Sequence, residues 1–244
     1  SSRLLDLGDG VLCLDFKTKG NTLTNEINDL IEEGVRLLDQ DQWKGLVVGN
    51  NGKSFSLGAD LYAFVQSDIA NDQQGIEQMS GRLETVCNLM KFAKKPVVSA
   101  PHGRALGGGC EIPMHATYSV VAPETYMGLV EVGVGLIPGG GGLKEMLFRA
   151  VLALHDPTVE TMLPAVTKVW QNIMTAQVST SGFDAIKKGF LPKNSRVVMN
   201  QDALLTEAKA TVLANYADFV PNQPKPIPAL GKVGIAHFEK LIKG

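Results

Sequence analysis

Apolar and polar positions over the first hundred residues follow the periods of alternating strands and helices. Residues 10–16 alternate apolar and polar side chains, which predicts a half-buried strand, and residues 44–50 form a continuous apolar run, which predicts a buried one. Between them, residues 24–40 repeat apolar side chains at helical spacing, and a second helix is predicted over 75–94 before a short strand over 97–99. This order predicts an α/β sheet with its ligand site at the carboxyl ends of the strands.

Residues 101–142 have a different composition, because they carry 11 of the chain's 26 glycines. Apolar segments interrupt these glycines throughout, so we expect tight turns and close backbone approaches rather than a flexible linker. Helical spacing dominates from about residue 143 onward, and a proline-rich connector over 219–231 precedes a last helix. We therefore expect an α/β core over residues 1–175 and a helical carboxyl-terminal region over residues 176–244 that serves in oligomerisation or as a lid.

Charge and cysteine content narrow the function classes. The formal net charge of −2 gives no sign of the basic surface that binds nucleic acids or anionic membranes. Three widely spaced cysteines argue against a disulfide framework and fit a reducing compartment, so we expect a cytoplasmic protein. No metal-binding motif occurs, and the apolar runs are too short to span a bilayer. Since the chain begins without methionine, we expect it to be processed or excised from a longer protein.

Two glycine turns lead into predicted helices. The segment "RALGGGCEIPMH" (104–115) presents backbone N–H groups that favour negative charge, and Glu111 falls in the first turn. The segment "KSFSLGADL" (53–61) begins a helix near Asp60 and points the N–H of Ala59 outward at a strand end. Two such donors from separate junctions are what an oxyanion hole requires. The alternative is that the glycines only allow two backbone segments to cross closely and that Glu111 is a solvated acid.

A second acid, Glu131, stands in the apolar and glycine-rich segment over 126–142. Apolar surroundings raise the pKa of a carboxyl, which suits proton transfer near neutral pH, whereas an exposed edge strand would leave Glu131 solvated. Two carboxyls in one pocket could hold a water molecule and share a proton. Cys110 is interpreted as a small buried apolar side chain, because no histidine is spaced to activate it, and His102 as a turn residue.

The blocks "FSLGADL", "KPVVSAPHGRALGGGCEIPM" and "MGLVEVGVGLIPGGGG" together resemble the crotonase (enoyl-CoA hydratase/isomerase) superfamily in their order and spacing. The first segment, "LDLGDGVLCLDFKTKGNTLTNEI", resembles the hydratase portion of bacterial fatty-acid oxidation proteins that also carry a 3-hydroxyacyl-CoA dehydrogenase part. The resemblance implies a crotonase-like (ClpP/crotonase) spiral of ββα units with a carboxyl-terminal helical region. It also implies a homo-oligomer, trimeric or hexameric, and a fused dehydrogenase part outside this chain.

The resemblance further implies an acyl-CoA substrate, no separate cofactor, and a role for each of several residues. Ala59 and Gly108 would supply the oxyanion-hole N–H groups, while Glu111 and Glu131 would flank the catalytic water that Gly139 helps to place. Glu111 would mainly activate this water and Glu131 would mainly serve the Cα atom. The predicted substrate contacts are Leu57, Ala59, Asp60, Leu61, Tyr62, Gly107, Gly108 and Gly139.

The implied activity is hydration of 2-enoyl-CoA thioesters in fatty-acid beta-oxidation. A Δ3,Δ2-enoyl-CoA isomerase, which needs only the acid at Glu131, and a non-catalytic acyl-CoA-binding module are the alternatives. The chain departs from the family pattern at Leu129, where a polar residue is common, and over 145–178, which is longer than usual. That segment would either cover the acyl pocket or replace a surface contact. Lys17, Lys19 and Lys53 are candidates for binding the CoA phosphates.

Overall fold

The computed structural model describes residues 2–243, which form a six-stranded sheet, a two-stranded sheet and the helices around them. The strands are β1 (Arg3–Asp6), β2 (Val11–Asp15), β3 (Gly45–Gly49), β4 (Val97–Ser99), β5 (Gly103–Leu106), β6 (Tyr118–Val121), β7 (Thr125–Gly128) and β8 (Arg196–Val197). The α-helices are α1 (Asn25–Leu37), α2 (Leu61–Ile69), α3 (Gln73–Lys91), α4 (Gly108–His115), α5 (Gly142–Leu152), α6 (Val159–Met174), α7 (Gly182–Lys188), α8 (Leu204–Asn215) and α9 (Gly231–Lys243).

The large sheet has the order β1-β2-β3-β4-β6-β8, in which only β1 runs antiparallel to its neighbour. The small sheet pairs β5 with β7 in parallel, and a parallel bridge joins Ser56 to Ala105 at the edge of β5. β4 and β6 are thus each followed by a strand of the small sheet and then by a helix, and β3 is followed by the segment bridged to β5 at Ser56 and then by α2. The predicted spiral of ββα units is confirmed.

The predicted helices begin where the sequence provides caps. The helix predicted over 24–40 is α1, whose first turn is capped by the Thr24 side chain accepting a hydrogen bond from the N–H of Ile27. The helix predicted over 75–94 is α3, and the one predicted near Asp60 is α2, with the Asp60 carboxylate accepting from the N–H of Tyr62. These local signals place the helices directly after the turns that precede them.

The prediction of a half-buried strand over 10–16 is wrong, because all of β2 is buried. Leu12 and Leu14 pack in the core that includes α1 and α3, whereas Val11 and Cys13 pack in a second core under α8. Alternation along β2 therefore separates two apolar faces rather than a core face from a solvent face.

The division at residue 175 stays a prediction. Beyond it, β8 pairs with β6 in the large sheet, and α8 packs over β3, β4 and β6 with Leu204, Ala208 and Val212 buried. Residues 196–215 thus share the apolar cores of the sheet. The proline-rich connector leads to α9, which packs on α6 through Trp170 and Phe238, with ring centroids 5.7 Å apart.

No helix within residues 2–243 combines the length and the apolar composition needed to cross a membrane. In that same range, no group of three or more His, Cys, Asp and Glu side chains is placed to hold a metal ion.

Candidate active site

A cavity of about 790 Å³ lies between α1, α2, α3 and the amino end of α4. The 3-10 helix Glu131–Val134 and the following loop to Gly140 complete its wall. Most of the lining is apolar, with Leu23, Leu61, Ile76, Met79, Leu83 and Ile137 among the contributors. Both predicted glycine turns and both predicted acids line this one cavity, so distant parts of the sequence meet here.

The two glycine turns lie against each other at the cavity wall. Gly58 and Gly107 have φ values of +93° and +55°, which only glycine adopts without strain, and each directly precedes one predicted donor. A Cβ atom on Gly108 would lie 3.6 Å from the backbone nitrogen of Ala59. Neither the Ala59 N–H nor the Gly108 N–H donates to another group in residues 2–243. The pair can therefore bind one oxygen atom as it gains negative charge.

Glu111 is held by the backbone of the second glycine run. Its side chain is 1% exposed, and its carboxylate accepts hydrogen bonds from the N–H groups of Gly140 (3.0 Å) and Gly142 (2.7 Å). Burial raises the pKa of Glu111, while these two hydrogen bonds act in the opposite direction. The first turn of α4 and the amino end of α5 thus fix the carboxylate at the cavity wall.

Glu131 has very different surroundings from Glu111. Its Oε2 atom is buried and has no hydrogen-bond partner within the described residues. Burial, and secondly the charge of Glu111, raise the pKa of Glu131 to about 7. The predicted rise in pKa is confirmed, although Glu131 begins a 3-10 helix rather than lying in a strand. Burial raises the pKa of both carboxyls, but backbone donors to both oxygens oppose the rise at Glu111, while the charge of Glu111 adds to it at Glu131.

A network behind Glu111 supports the loop that holds it. The carbonyl oxygen of Glu111 accepts a hydrogen bond from His115 Nδ1 at 2.8 Å. Glu145, in the first turn of α5, pairs with Lys91 of α3 at 2.5 Å, and its backbone N–H donates to the carbonyl oxygen of Gly141. The Lys91–Glu145 pair thus joins α3 to α5, and His115 Nε2 of α4 lies 3.7 Å from Glu145 Oε1.

The other predicted contact residues divide into two groups. Leu57, Asp60, Leu61, Gly107 and Gly139 line the cavity. Tyr62 is 72% exposed and, among residues 2–243, is not part of the lining, so its contact with substrate stays a prediction without support from this cavity.

Gly140 and Gly142 are site positions that were not predicted from the sequence. The N–H groups that orient Glu111 come from these two residues, whereas a role was predicted only for Gly139. The sequence does contain a run of four glycines where a helix begins, which is a typical anion-binding pattern. It does not show which of their N–H groups face Glu111, because that depends on the path of the folded loop.

Cys110 has the structural role expected for it, whereas His102 is a buried residue directly before β5 rather than a turn residue. Cys110 is fully buried beside Met114, and burial raises the pKa of its thiol well above the usual value, which suppresses the thiolate form. His102 is 1% exposed and contacts the carbonyl oxygen of Gly52 through Nε2 at 2.9 Å. Of the candidate lysines, Lys17 is paired with Asp15 at 3.2 Å.

The longer segment over 145–178 lies away from the cavity. Within the described residues, the cavity lining ends at Gly140, and α6 packs on α5 and α9 instead. The expectation that this segment covers the acyl pocket is therefore wrong, and its position fits the alternative of a surface contact.

The raised pKa of Glu131 predicts that the difference in stability between the unaltered protein and a Glu131→Gln variant depends on pH. The folded protein binds this proton more tightly than the unfolded chain, so ionisation destabilises the fold progressively from about pH 4.5 to about pH 7. We expect Glu131→Gln to raise the free energy of unfolding by about 1–3 kcal/mol at pH 8, after discounting for partial solvation.

Denaturant unfolding of both proteins at about pH 8 and about pH 4 checks this expectation, and the difference should vanish at the lower pH. Glu77→Gln, at an exposed position of α3, is the matched control and should change stability little at either pH. A Glu131→Gln variant that is no more stable than the parent at pH 8 would contradict the prediction that ionisation of the buried Glu131 carboxyl destabilises the fold.

Comparison with known proteins agrees with this geometry. The family model described as "Enoyl-CoA hydratase/isomerase" matches residues 10–217. The "Probable 3-hydroxyacyl-CoA dehydrogenase" of Bacillus subtilis is 37% identical over 235 residues, which are 96% of this chain and 29% of that protein. The peroxisomal fatty acid beta-oxidation multifunctional protein AIM1 of Arabidopsis thaliana is 40% identical over 141 residues, 57% of this chain and 19% of that protein. The chain thus spans less than a third of the length of these relatives.

Solved structures show the same fold at low sequence identity. DspI of Pseudomonas aeruginosa has a TM-score of 0.72 at 20% identity, with 100% of this chain and 86% of that chain covered. An enoyl-CoA hydratase of Bacillus anthracis has a TM-score of 0.70 at 19% identity, with 87% and 75% covered. At this identity the likeness establishes the fold alone.

Proposed function

The chain belongs to the enoyl-CoA hydratase/isomerase (crotonase) family, and from that premise we propose that it is a 2-enoyl-CoA hydratase. The observation that carries the proposal is the pairing of two unlike carboxyls, Glu111 and Glu131, in one cavity with two free backbone N–H groups. Hydration needs a base for water and an acid for carbon, and this pair can supply both.

In the proposed mechanism, the N–H groups of Ala59 and Gly108 bind the thioester oxygen and stabilise the charge that it gains. The Glu111 carboxylate takes a proton from water as the water oxygen attacks Cβ. Protonated Glu131 gives its proton to Cα, which completes the addition of H and OH across the double bond. The pair then holds one proton on Glu111, and its transfer to Glu131 restores the starting state.

The surroundings of each acid support this division of roles. Gly140 and Gly142 donate to both oxygens of Glu111, which stabilises its carboxylate form and fixes its position, while burial raises its pKa and therefore its basicity. Glu131 is the better acid because its pKa of about 7 keeps much of it protonated near neutral pH. The two carboxyls titrate together as a pair. The assignment of the base to Glu111 and of the acid to Glu131 is the distribution of protons that the geometry favours within that pair.

The direct test is hydration of crotonyl-CoA by the purified protein, followed as loss of the enoyl-thioester absorbance. Isomerisation of a 3-enoyl-CoA is measured in parallel, because the isomerase alternative needs only Glu131. Rapid hydration supports the proposal. Isomerisation without hydration would favour the isomerase, and tight thioester binding without turnover would favour a non-catalytic module.

We expect a bell-shaped pH dependence of kcat/KM for hydration. The active pair carries one proton, so the rate should fall tenfold per pH unit above about pH 7, where Glu131 ionises. The acidic limb reports protonation of Glu111. Initial rates with crotonyl-CoA across the pH range measure both limbs, and a rate that is constant between about pH 6 and pH 9 would rule out this proton-sharing pair.

We also propose that a 3-hydroxyacyl-CoA dehydrogenase part consumes the product in the same protein. The support is that the Bacillus subtilis relative, named for that activity, is more than three times as long as its matched region. A homotrimeric or hexameric assembly and a cytoplasmic location stay predictions.

A further inference from the structure

Lys91 and Glu145 form a buried ion pair that the proposed mechanism does not use. Lys91 Nζ, at the end of α3, lies 2.5 Å from Glu145 Oε1 in the first turn of α5, and the side chains are 17% and 5% exposed. Because both charges lose hydration there, such a pair adds little net stability over apolar side chains, although removing one partner is costly. Its structural effect is to hold the amino end of α5 at a fixed place on α3.

The pair is one hydrogen bond away from the glycine loop that binds Glu111. The backbone N–H of Glu145 donates to the carbonyl oxygen of Gly141 at 3.0 Å. Gly140 and Gly142, on either side of Gly141, donate to the Glu111 carboxylate, and Gly142 is itself the first residue of α5. A displacement of the amino end of α5 would therefore displace both donors.

His115 contacts both the glycine loop and Glu111. Its Nδ1 donates to the Glu111 carbonyl oxygen, its Nε2 lies 3.7 Å from Glu145 Oε1, and a Cβ atom on Gly141 would lie 2.8 Å from Nε2. Burial lowers the pKa of His115 to about 4, so the ring is neutral near neutral pH. Lys91 is therefore the group that balances the charge of Glu145.

Several other titratable groups surround the Glu111 carboxyl. They are Glu84 and Cys87 of α3, Cys110 and His115 of α4, Glu131 of the 3-10 helix and Lys144 of α5. Glu84 raises the pKa of Glu111 and Lys144 lowers it, each by less than burial or the two backbone N–H groups do, and the charges of Lys91 and Glu145 act less than these. The ion pair thus acts on Glu111 mainly through the position of the glycine loop.

We propose that Glu145, anchored by Lys91, is a positioning residue for hydration, which fixes the glycine loop so that both of its N–H groups hold the Glu111 carboxylate in place. The inference rests on the proposed hydratase function and adds to it two residues that are not among the described residues lining the cavity. Misplacement of a reacting group by about 1 Å can cost about 10²-fold in rate, so a remote ion pair that fixes this group affects catalysis.

The experiment measures hydration of crotonyl-CoA by Glu145→Gln, by Lys91→Met and by the variant that carries both substitutions. Each variant breaks the ion pair at nearly constant side-chain volume, and the double variant leaves no unpaired charge, so it is the one that folds most safely. We expect each variant to lower kcat by about 10–10²-fold and to leave KM nearly unchanged, because the loss affects the reacting group rather than substrate binding.

The pH dependence of kcat/KM separates positioning from a direct effect of charge. Weaker donation from the glycine loop favours the protonated form of Glu111, so the acidic limb should move up by about one pH unit in all three variants. Charge acting through space would instead move the limb down in Glu145→Gln, up in Lys91→Met and hardly at all in the double variant.

Two further variants serve as controls. Lys94→Met removes a lysine from an exposed pair with Asp39, just after α3, and should change neither kcat nor the acidic limb. Lys91→Arg keeps the positive charge beside Glu145 and should recover most of the kcat and the limb of the unaltered protein. Thermal unfolding verifies that each variant is folded at the assay temperature.

Three outcomes would overturn the inference. The limb could move in opposite directions in the two single variants, or the variants could lose thermal stability with kcat and limb unchanged, which would make the pair purely structural. Lys94→Met could also shift the limb as far as Lys91→Met does.

The hydratase proposal and this inference can fail separately. If the unaltered protein does not hydrate crotonyl-CoA, the hydratase proposal fails. Titration of Glu111 by carboxyl 13C NMR, with its signal assigned by its loss in Glu111→Gln, then compares the unaltered protein with the double variant. A pKa of Glu111 that is higher in the double variant supports the positioning role, and an unchanged pKa contradicts it.

Discussion

Glu111→Gln should lower kcat for hydration of crotonyl-CoA by about 10²–10⁴-fold, the range typical for loss of a positioned general base. The amide keeps the volume of the carboxyl but cannot take a proton from water. It also turns an NH₂ group toward one of two backbone donors, since Gly140 and Gly142 both donate to this side chain. Stopped-flow or steady-state assays of hydration measure the loss.

The control for Glu111→Gln is Glu84→Gln, which removes a neighbouring negative charge from an exposed position on α3 without altering the cavity lining. This variant should hydrate crotonyl-CoA at nearly the unaltered rate. Thermal unfolding of both variants verifies that they fold. Hydration that survives Glu111→Gln would exclude Glu111 as the base, and surviving isomerisation with lost hydration would fit a protein that catalyses both reactions.

Ala59→Pro should lower kcat/KM by about 10²–10³-fold, because it deletes one donor of the oxyanion pair. The Ala59 N–H makes no hydrogen bond within the described residues, so the substitution removes no backbone hydrogen bond of the fold. The neighbouring bond from the Leu23 N–H to the Gly58 carbonyl, at 2.8 Å, does not involve this group. Steady-state hydration of crotonyl-CoA measures the loss.

Ala59→Gly is the matched control, since it keeps the N–H group and removes only the methyl. We expect it to retain most of the activity, with circular dichroism confirming the fold of both variants. Equal losses in the two variants would attribute the effect to packing at position 59, and full activity in Ala59→Pro would show that this N–H does not bind the thioester oxygen.

The local structure of the chain could be predicted from its sequence because short-range physics determines it. Helical periodicity and caps located α1, α2 and α3, and glycines before a helix marked the two junctions that carry the donors. An acid within apolar residues was sufficient to predict a raised pKa for Glu131, since desolvation is the larger cause of the shift. The three motif blocks also indicated the family.

Other features depend on contacts between residues far apart in the sequence. The burial of both faces of β2 requires α8, which lies almost two hundred residues later and covers the second face. The partners of Glu111 are two N–H groups about thirty residues away, selected by the path of a glycine loop.

The sequence by itself determined the first strands and helices, the two donor-bearing turns and the two candidate acids, because each follows from the local conformational preferences and burial tendencies of neighbouring residues, while the ββα order was implied by the resemblance of the motif blocks. Only the tertiary structure decided that these four features line one cavity, that one acid is held by backbone donors while the other has an unpaired oxygen, and that the segment over 145–178 stays outside. The physical reason is that the desolvation and the hydrogen bonds of a side chain depend on all the groups around it, and these groups come from segments that are far apart in the sequence.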